Sequence, residues 1–265
     1  MTVHRSALVT GGSRGIGAEI ARRLAGEGYH LTLAARTLDT LAETARLLRE
    51  EFGVEANPVA ARMNDLDQVR DLVQAHADRF GGLNALVLSA GTGTAGRVAD
   101  MQAKTYERML DVNFRAPITL VQAALPLLRK SAAEDPARGA KIIALASITG
   151  VAGEAGLAAY GATKAALISL CETVSLEESG NGVSATAISP GYVDTDMTAW
   201  KHDELDPSAM LRTGDIAEMA LAVTQLSRNA VIPNIVLTRA GDRMWRARAT
   251  AIETPGTGYA ACVSR

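Results

Sequence analysis

Tyr160 and Lys164 stand four residues apart in a segment of helical periodicity, so their side chains share one face. A tyrosine phenol titrates near pH ~10 and is a poor base at neutrality. A neighbouring ammonium favours the phenolate and lowers that value. Tyr160 can then take a proton from an alcohol or give one to a carbonyl. Ser147 follows the apolar run Lys141–Ala146 and is placed to hydrogen-bond the same substrate oxygen. Taken alone, Tyr160 and Lys164 are an ordinary helical pair; their weight comes from the company they keep.

That company is a glycine loop. Ala7–Thr10 reads as a strand, and Gly11, Gly12, Ser13, Arg14, Gly15, Ile16 and Gly17 follow before a helix. Gly11 allows a tight turn, Gly15 lets the backbone approach a pyrophosphate, and Gly17 lets the helix pack close to the strand. The helix N-terminus then aims free N–H groups and the positive end of its dipole at the phosphates. A proton-transfer pair beside such a cradle suits hydride exchange between a nicotinamide and a carbonyl/alcohol substrate, with Lys164 also holding the ribose. The second strand ends Leu33, Ala34, Ala35, Arg36, without the acid that NAD sites place on the ribose 2′-hydroxyl. Arg36 and Arg14 instead favour a 2′-phosphate through charge-assisted hydrogen bonds, and Arg62 adds a third positive charge. NADP(H) is the expected cofactor, with NAD(H) less favoured.

These groups need a scaffold that brings them to one edge. Short apolar runs at Ala7–Thr10, His30–Ala35, Val54–Ala60, Ala85–Ser89, Lys141–Ala146, Val183–Ile188 and Ile232–Leu237 read as buried parallel strands. Amphipathic stretches at Ile16–Gly26, Leu38–Glu51, Leu66–Arg79, Lys104–Arg129, Ala159–Glu178 and Ile216–Ser227 read as helices between them. Such alternation predicts an α/β fold, a doubly wound parallel sheet with helices on both faces. Ligands of an open sheet of this kind bind outside the carboxyl ends of the strands, where both the glycine loop and Ser147 fall. Ala132–Gly139 reads as a surface turn, and the irregular stretch Asp194–Thr213 as a functional loop.

The order and spacing of the motifs carry a resemblance. They are Thr10–Gly17, then Ser89, Ala90 and Gly91, then Asp111, Val112 and Asn113, then Ser147, Tyr160 to Lys164, and Pro190 to Thr195. Over roughly Arg5 to Gly241 the chain resembles the short-chain dehydrogenase/reductase family in its conventional single-domain form. The resemblance implies a seven-stranded Rossmann-like sheet in the order 3-2-1-4-5-6-7. It implies one catalytic domain over 1–241, with 242–265 as a C-terminal tail. It implies a tetrad of Asn113, Ser147, Tyr160 and Lys164, in which Asn113 holds a water next to Lys164. It implies that Pro190, Gly191, Val193 and Thr195 frame the nicotinamide, and that Met63, Ser89, Ala90 and Gly91 also contact the cofactor. It further implies a homodimer or homotetramer built on the helices carrying Asn113 and Tyr160. The small residues Ala162, Ala165, Ala166 and Ser169 suit close helix packing there. Two departures stand out: Ser89 replaces an asparagine and holds its strand less firmly, and Arg62 replaces an aspartate near the adenine.

The bulk properties agree. The 265 residues carry a net charge of -2 and 4% aromatics, which argues against a nucleic-acid-binding surface. Cys171 and Cys262 are far apart and the four histidines are scattered, so no metal site is expected. No leader and no membrane-spanning run is read, which suggests a cytoplasmic protein. The partner is then a small, mostly apolar carbonyl or alcohol compound. Gly150–Leu157, Thr92–Arg97 and Asp194–Thr213 line its pocket with Ile148, Val151, Leu157, Tyr192, Met197 and Trp200. A different reading is a low-turnover NADP(H)-binding sensor or scaffold, against which the intact tetrad argues. An epimerase that merely cycles its nicotinamide would need a longer substrate region.

Overall fold

The computed structural model describes residues 5–241. Seven parallel strands form one sheet: β1 (Ser6–Thr10), β2 (His30–Ala35), β3 (Ala56–Ala60), β4 (Ala85–Leu88), β5 (Ala140–Leu145), β6 (Val183–Pro190) and β7 (Asn234–Leu237). Their order is β3-β2-β1-β4-β5-β6-β7, as the resemblance implies. Every residue of β1, β5 and β6 is buried, which is why these runs lack an alternating polar face. The proposed tail from 242 onward lies outside the described residues.

The helices α1 (Gly15–Gly26), α2 (Leu38–Phe52) and α7 (Thr213–Gln225) cover one face. There Ile20, Leu24, Leu41, Leu48 and Ile216 pack on Val9, Leu33 and Ile143. The helices α3 (Leu66–Phe80), α5 (Ala116–Glu134) and α6 (Ala158–Glu178) cover the other. There Leu72, Leu120, Leu128 and Leu167 pack on Leu8, Leu86 and Ile142. Burying a leucine of this kind contributes about 1.5–3 kcal/mol. The sheet is thus held by two hydrophobic layers, and its carboxyl edge is left for loops. In register, Thr10 pairs with Ala34 and Leu88, and Leu88 with Ala144, so the glycine loop, the segment after β4 and Ser147 leave the sheet together.

Two segments differ from the sequence expectation. The stretch Lys104–Arg129 is not one helix. A short α4 (Ala103–Leu110) runs into a π turn at Asp111–Arg115, which then continues as α5. The apolar pattern there is helical throughout, and the extra residue per turn is a tertiary effect: Asn113 is pulled inward to bond Thr92. The turn expected at Ala132–Gly139 begins later, since α5 runs to Glu134. Ser131 and Ala132 are buried, and the Ser131 hydroxyl accepts a bond from the Leu83 N–H at 2.7 Å.

Candidate active site

The loop after β1 curls over the start of α1. Gly11 has φ +68°, the left-handed region glycine enters at no steric cost. A Cβ at Gly17 would lie 2.3 Å from the Gly11 carbonyl oxygen, so a side chain there would open the loop. Arg14 precedes the helix in extended conformation, offers no side-chain cap, and no acid stands in the first turn. The first N–H groups of α1 are therefore unsatisfied within the helix and carry its positive dipole end.

A cleft of about 840 Å³ runs from this helix end along the carboxyl edge of the sheet. All residues expected to contact the cofactor line it, from Gly11 and Ile16 through Arg36, Met63 and Gly91 to Pro190, Val193 and Thr195. A donor-rich helix N-terminus at one end, an acid-free β2 terminus and an elongated hollow fit a dinucleotide. The glycine loop and the helix N-terminus would hold a pyrophosphate, and Lys164 a ribose. Arg62 is not on the cleft wall; Ala61, Met63 and Asn64 are, and the Arg62 N–H donates to Gln68 Oε1. The sequence reading missed Asn64 and Arg108, both on the wall. At Ser89 the backbone carries the strand-end contact. Thr10 Oγ1 accepts bonds from the Ser89 and Ala90 N–H groups, both at 3.1 Å, and so fixes the strand end from β1.

A smaller hollow of about 180 Å³ adjoins the cleft. Ile148, Leu157, Tyr192, Met197 and Trp200 line it as expected, Val151 does not, and Glu154 does. The two hollows share Gly93, Ser147, Tyr160, Gly191, Met197 and Thr198. Tyr160 and Ser147 thus stand where anything in the long cleft meets anything in the short one. Gly93 packs on the tyrosine ring so closely that a Cβ would sit 3.2 Å from its Cδ2.

The electrostatics differ from the sequence expectation. Burial pushes the Tyr160 phenol up to about 12, opposed by a hydrogen bond from Ser147. Burial also pushes the Lys164 ammonium down to about 8. The Lys164 Nζ lies 5.5 Å from the centre of the Tyr160 ring and donates to the Leu145 carbonyl at 2.6 Å. Desolvation therefore outweighs the lysine at this phenol, which keeps its proton at neutral pH. Ser147 Oγ accepts from the Thr149 N–H at 3.2 Å and from the Thr149 hydroxyl at 2.9 Å, which leaves its own proton for Tyr160 or a substrate oxygen.

Asn113 is buried and its amide is spoken for. Oδ1 accepts from the Thr92 N–H at 2.9 Å, while Nδ2 donates to the Thr92 carbonyl at 2.8 Å and to Thr163 Oγ1 at 3.1 Å. The side-chain amide thereby pins the post-β4 segment to α6. It stays near Lys164 all the same: a Cβ on Gly91 would lie 3.5 Å from Asn113 Oδ1 and 3.6 Å from Lys164 Nζ. On α6, Ala162, Ala165 and Ser169 are exposed and Ala166 is half-buried.

Comparison with known proteins agrees with this geometry. The family model for short chain dehydrogenases matches residues 5–206. The 3-oxoacyl-(acyl-carrier-protein) reductase of Staphylococcus aureus is 33% identical over 205 residues, which is 77% of this chain and 81% of that one. The alcohol dehydrogenase of the archaeon Thermococcus sibiricus, solved with 5-hydroxy-NADP, superposes with a TM-score of 0.82 at 27% identity, covering 91% of this chain and 98% of its own. A short chain dehydrogenase of Burkholderia cenocepacia in complex with NADP gives 0.79 at 29%, again over 91% and 98%. The chain belongs to the short-chain dehydrogenase family. It is an oxidoreductase with a Rossmann-like sheet. Among the described residues no helix is long and apolar enough to cross a membrane.

Proposed function

We propose that this protein is an NADP(H)-dependent oxidoreductase that interconverts a carbonyl compound and its alcohol. The observation that carries the reading is the position of Tyr160 and Ser147 on the wall common to the long cleft and the short hollow. The cofactor, when bound, supplies or accepts the hydride. Ser147 donates its free proton to the substrate oxygen and fixes its direction. Tyr160, protonated because it is desolvated, gives its proton to that oxygen in the reducing direction. Lys164 holds the ribose and the far side of the tyrosine, and Asn113 keeps the 92–97 segment in place behind them.

The NADP(H) preference rests on Arg36. It is exposed at the end of β2, lines the cleft, and has no ion-pair partner among the described residues. Arg14 is paired to Asp196 at 2.8 Å, but both side chains are mostly exposed, and such a pair is worth about 0–1 kcal/mol, little enough for a phosphate to displace. The NADP in two of the related structures supports the same choice. One domain, residues 1–241, carries the reaction in the cytoplasm, and the small exposed face of α6 provides the contact of a homodimer or homotetramer. The test is NADPH absorbance followed with a panel of aryl and alkyl ketones. Turnover that disappears in Tyr160→Phe supports the reading, and turnover equal in the two proteins overturns it.

A further inference from the structure

The short hollow is walled by apolar groups and hydroxyls, with one exception. Among the described residues Glu154 is the one charged side chain on its lining. It comes from the loop that follows the turn after β5. Tyr192, from the loop after β6, reaches across and donates its hydroxyl proton to Glu154 Oε1 at 2.5 Å. Oε2 has no partner among the described residues. Carboxylates accept up to about four hydrogen bonds, so the pair leaves strong acceptor capacity at the hollow.

The surrounding charges do not cancel this carboxylate. Lys201 stands beside the two rings, with Nζ 5.8 Å from the centre of the Tyr192 ring and 5.4 Å from that of Trp200. It is tied to Glu204 and lies outside the lining of the hollow. Arg14 is held by Asp196, and His202 faces Asp194 at 3.3 Å. Tyr192 itself is braced by an edge contact with Trp200, ring centres 6.3 Å apart, so the rings that shape the hollow also aim the hydroxyl. Glu154 is exposed at the rim, so the field in the hollow is that of one negative charge, partly screened by solvent, beside an otherwise apolar wall.

We propose that Glu154 selects the substrate: the site takes neutral or cationic carbonyl compounds that present an N–H or O–H donor, and turns away anionic ones. The proposal rests on the reading of the site given above.

The experiment compares matched ketones: acetophenone, its 3- and 4-aminomethyl derivatives, and 3- and 4-acetylbenzoate. kcat/KM with NADPH is measured for the wild type, Glu154→Gln and Tyr192→Phe. In the wild type the cationic ketones exceed the anionic ones by about three- to tenfold, the scale of attraction against repulsion at an exposed carboxylate. Glu154→Gln brings the ratio close to one, mainly through KM. Tyr192→Phe removes the cross-loop hydrogen bond and keeps the charge, so the ratio stays high. Anionic ketones reduced as well as cationic ones, or a ratio that falls equally in both variants, overturns the proposal. Calorimetric titration of the same ketones into the NADPH-loaded protein gives the same ranking without turnover. Equal affinities for the two charges there overturn the proposal, whereas ranked affinities without any reduction overturn the assigned reaction and leave the selectivity standing.

Discussion

Two lysines are buried at opposite ends of the sheet. Lys141, near the start of β5, is 2% exposed, and Lys164, beyond the carboxyl edge, is 5% exposed. Desolvation lowers the pKa of both. At the amino end, Lys141 donates to Ser184 Oγ and the Ser227 carbonyl, each at 3.2 Å, and closes the gap between β5, β6 and the end of α7. His76 lies at the same end with both ring nitrogens engaged, by Thr32 Oγ1 at 2.8 Å and the Gly82 carbonyl at 2.9 Å. At the carboxyl end, Lys164 and Tyr160 border open volume. Buried titratable groups are thus common to both ends, and what marks the functional one is space beside them. A perturbed pKa in a filled environment is a matter of packing, and the same perturbation beside a cleft is chemistry.

Exchanging the fates of the two lysines is the strongest way to break this contrast. Lys164→Ala is expected to lower kcat/KM for ketone reduction by about 10²–10³-fold, while Lys141→Ala leaves it within a few-fold. Chemical denaturation should show the reverse, with Lys141→Ala losing about 2–4 kcal/mol through a cavity and an orphaned carbonyl. Equal activity losses in the two variants would erase the distinction.

His76 sharpens it through pH. Burial holds the ring down at about 4, against an ordinary value of 6.5. The unfolded chain therefore takes the proton first as pH falls. Stability is expected to drop between about pH 6.5 and pH 4, by roughly 3 kcal/mol in all, and to level off below. His76→Gln should flatten that part of the stability curve; an unchanged slope would place the titrating group elsewhere. The smallest effect belongs to the cleft itself. Arg36→Ala should lower the NADP(H)-over-NAD(H) ratio of kcat/KM by about tenfold, the worth of a charge-assisted bond to a phosphate. An unaltered ratio would move the preference to Arg14 or Arg108.

The central strands were legible because each is a short apolar run that needs two covered faces, and a run such as Val183–Pro190 has no other stable home. The glycine loop and the tyrosine–lysine spacing were legible because local geometry dictates them. The π turn was not: Asp111–Arg115 is an unremarkable helical stretch until Thr92, far away in sequence, claims the amide of Asn113. Asn64 and Arg108 were missed for a similar reason, since no spacing rule ties them to the wall they line, and Glu154 was placed on a lining segment without being singled out. The phenol's elevated pKa was hidden too, because the sequence names its neighbours and does not reveal how much water they exclude.

The wall that the two hollows share also bears on the shape of what would leave under the proposed reading. A ketone whose oxygen is pinned by Ser147 and Tyr160 would turn one of its two mirror-related sides toward the longer chamber. One enantiomer of the alcohol would then form in excess, and which one would follow from the arm that the smaller chamber takes, not from the winding of the sheet.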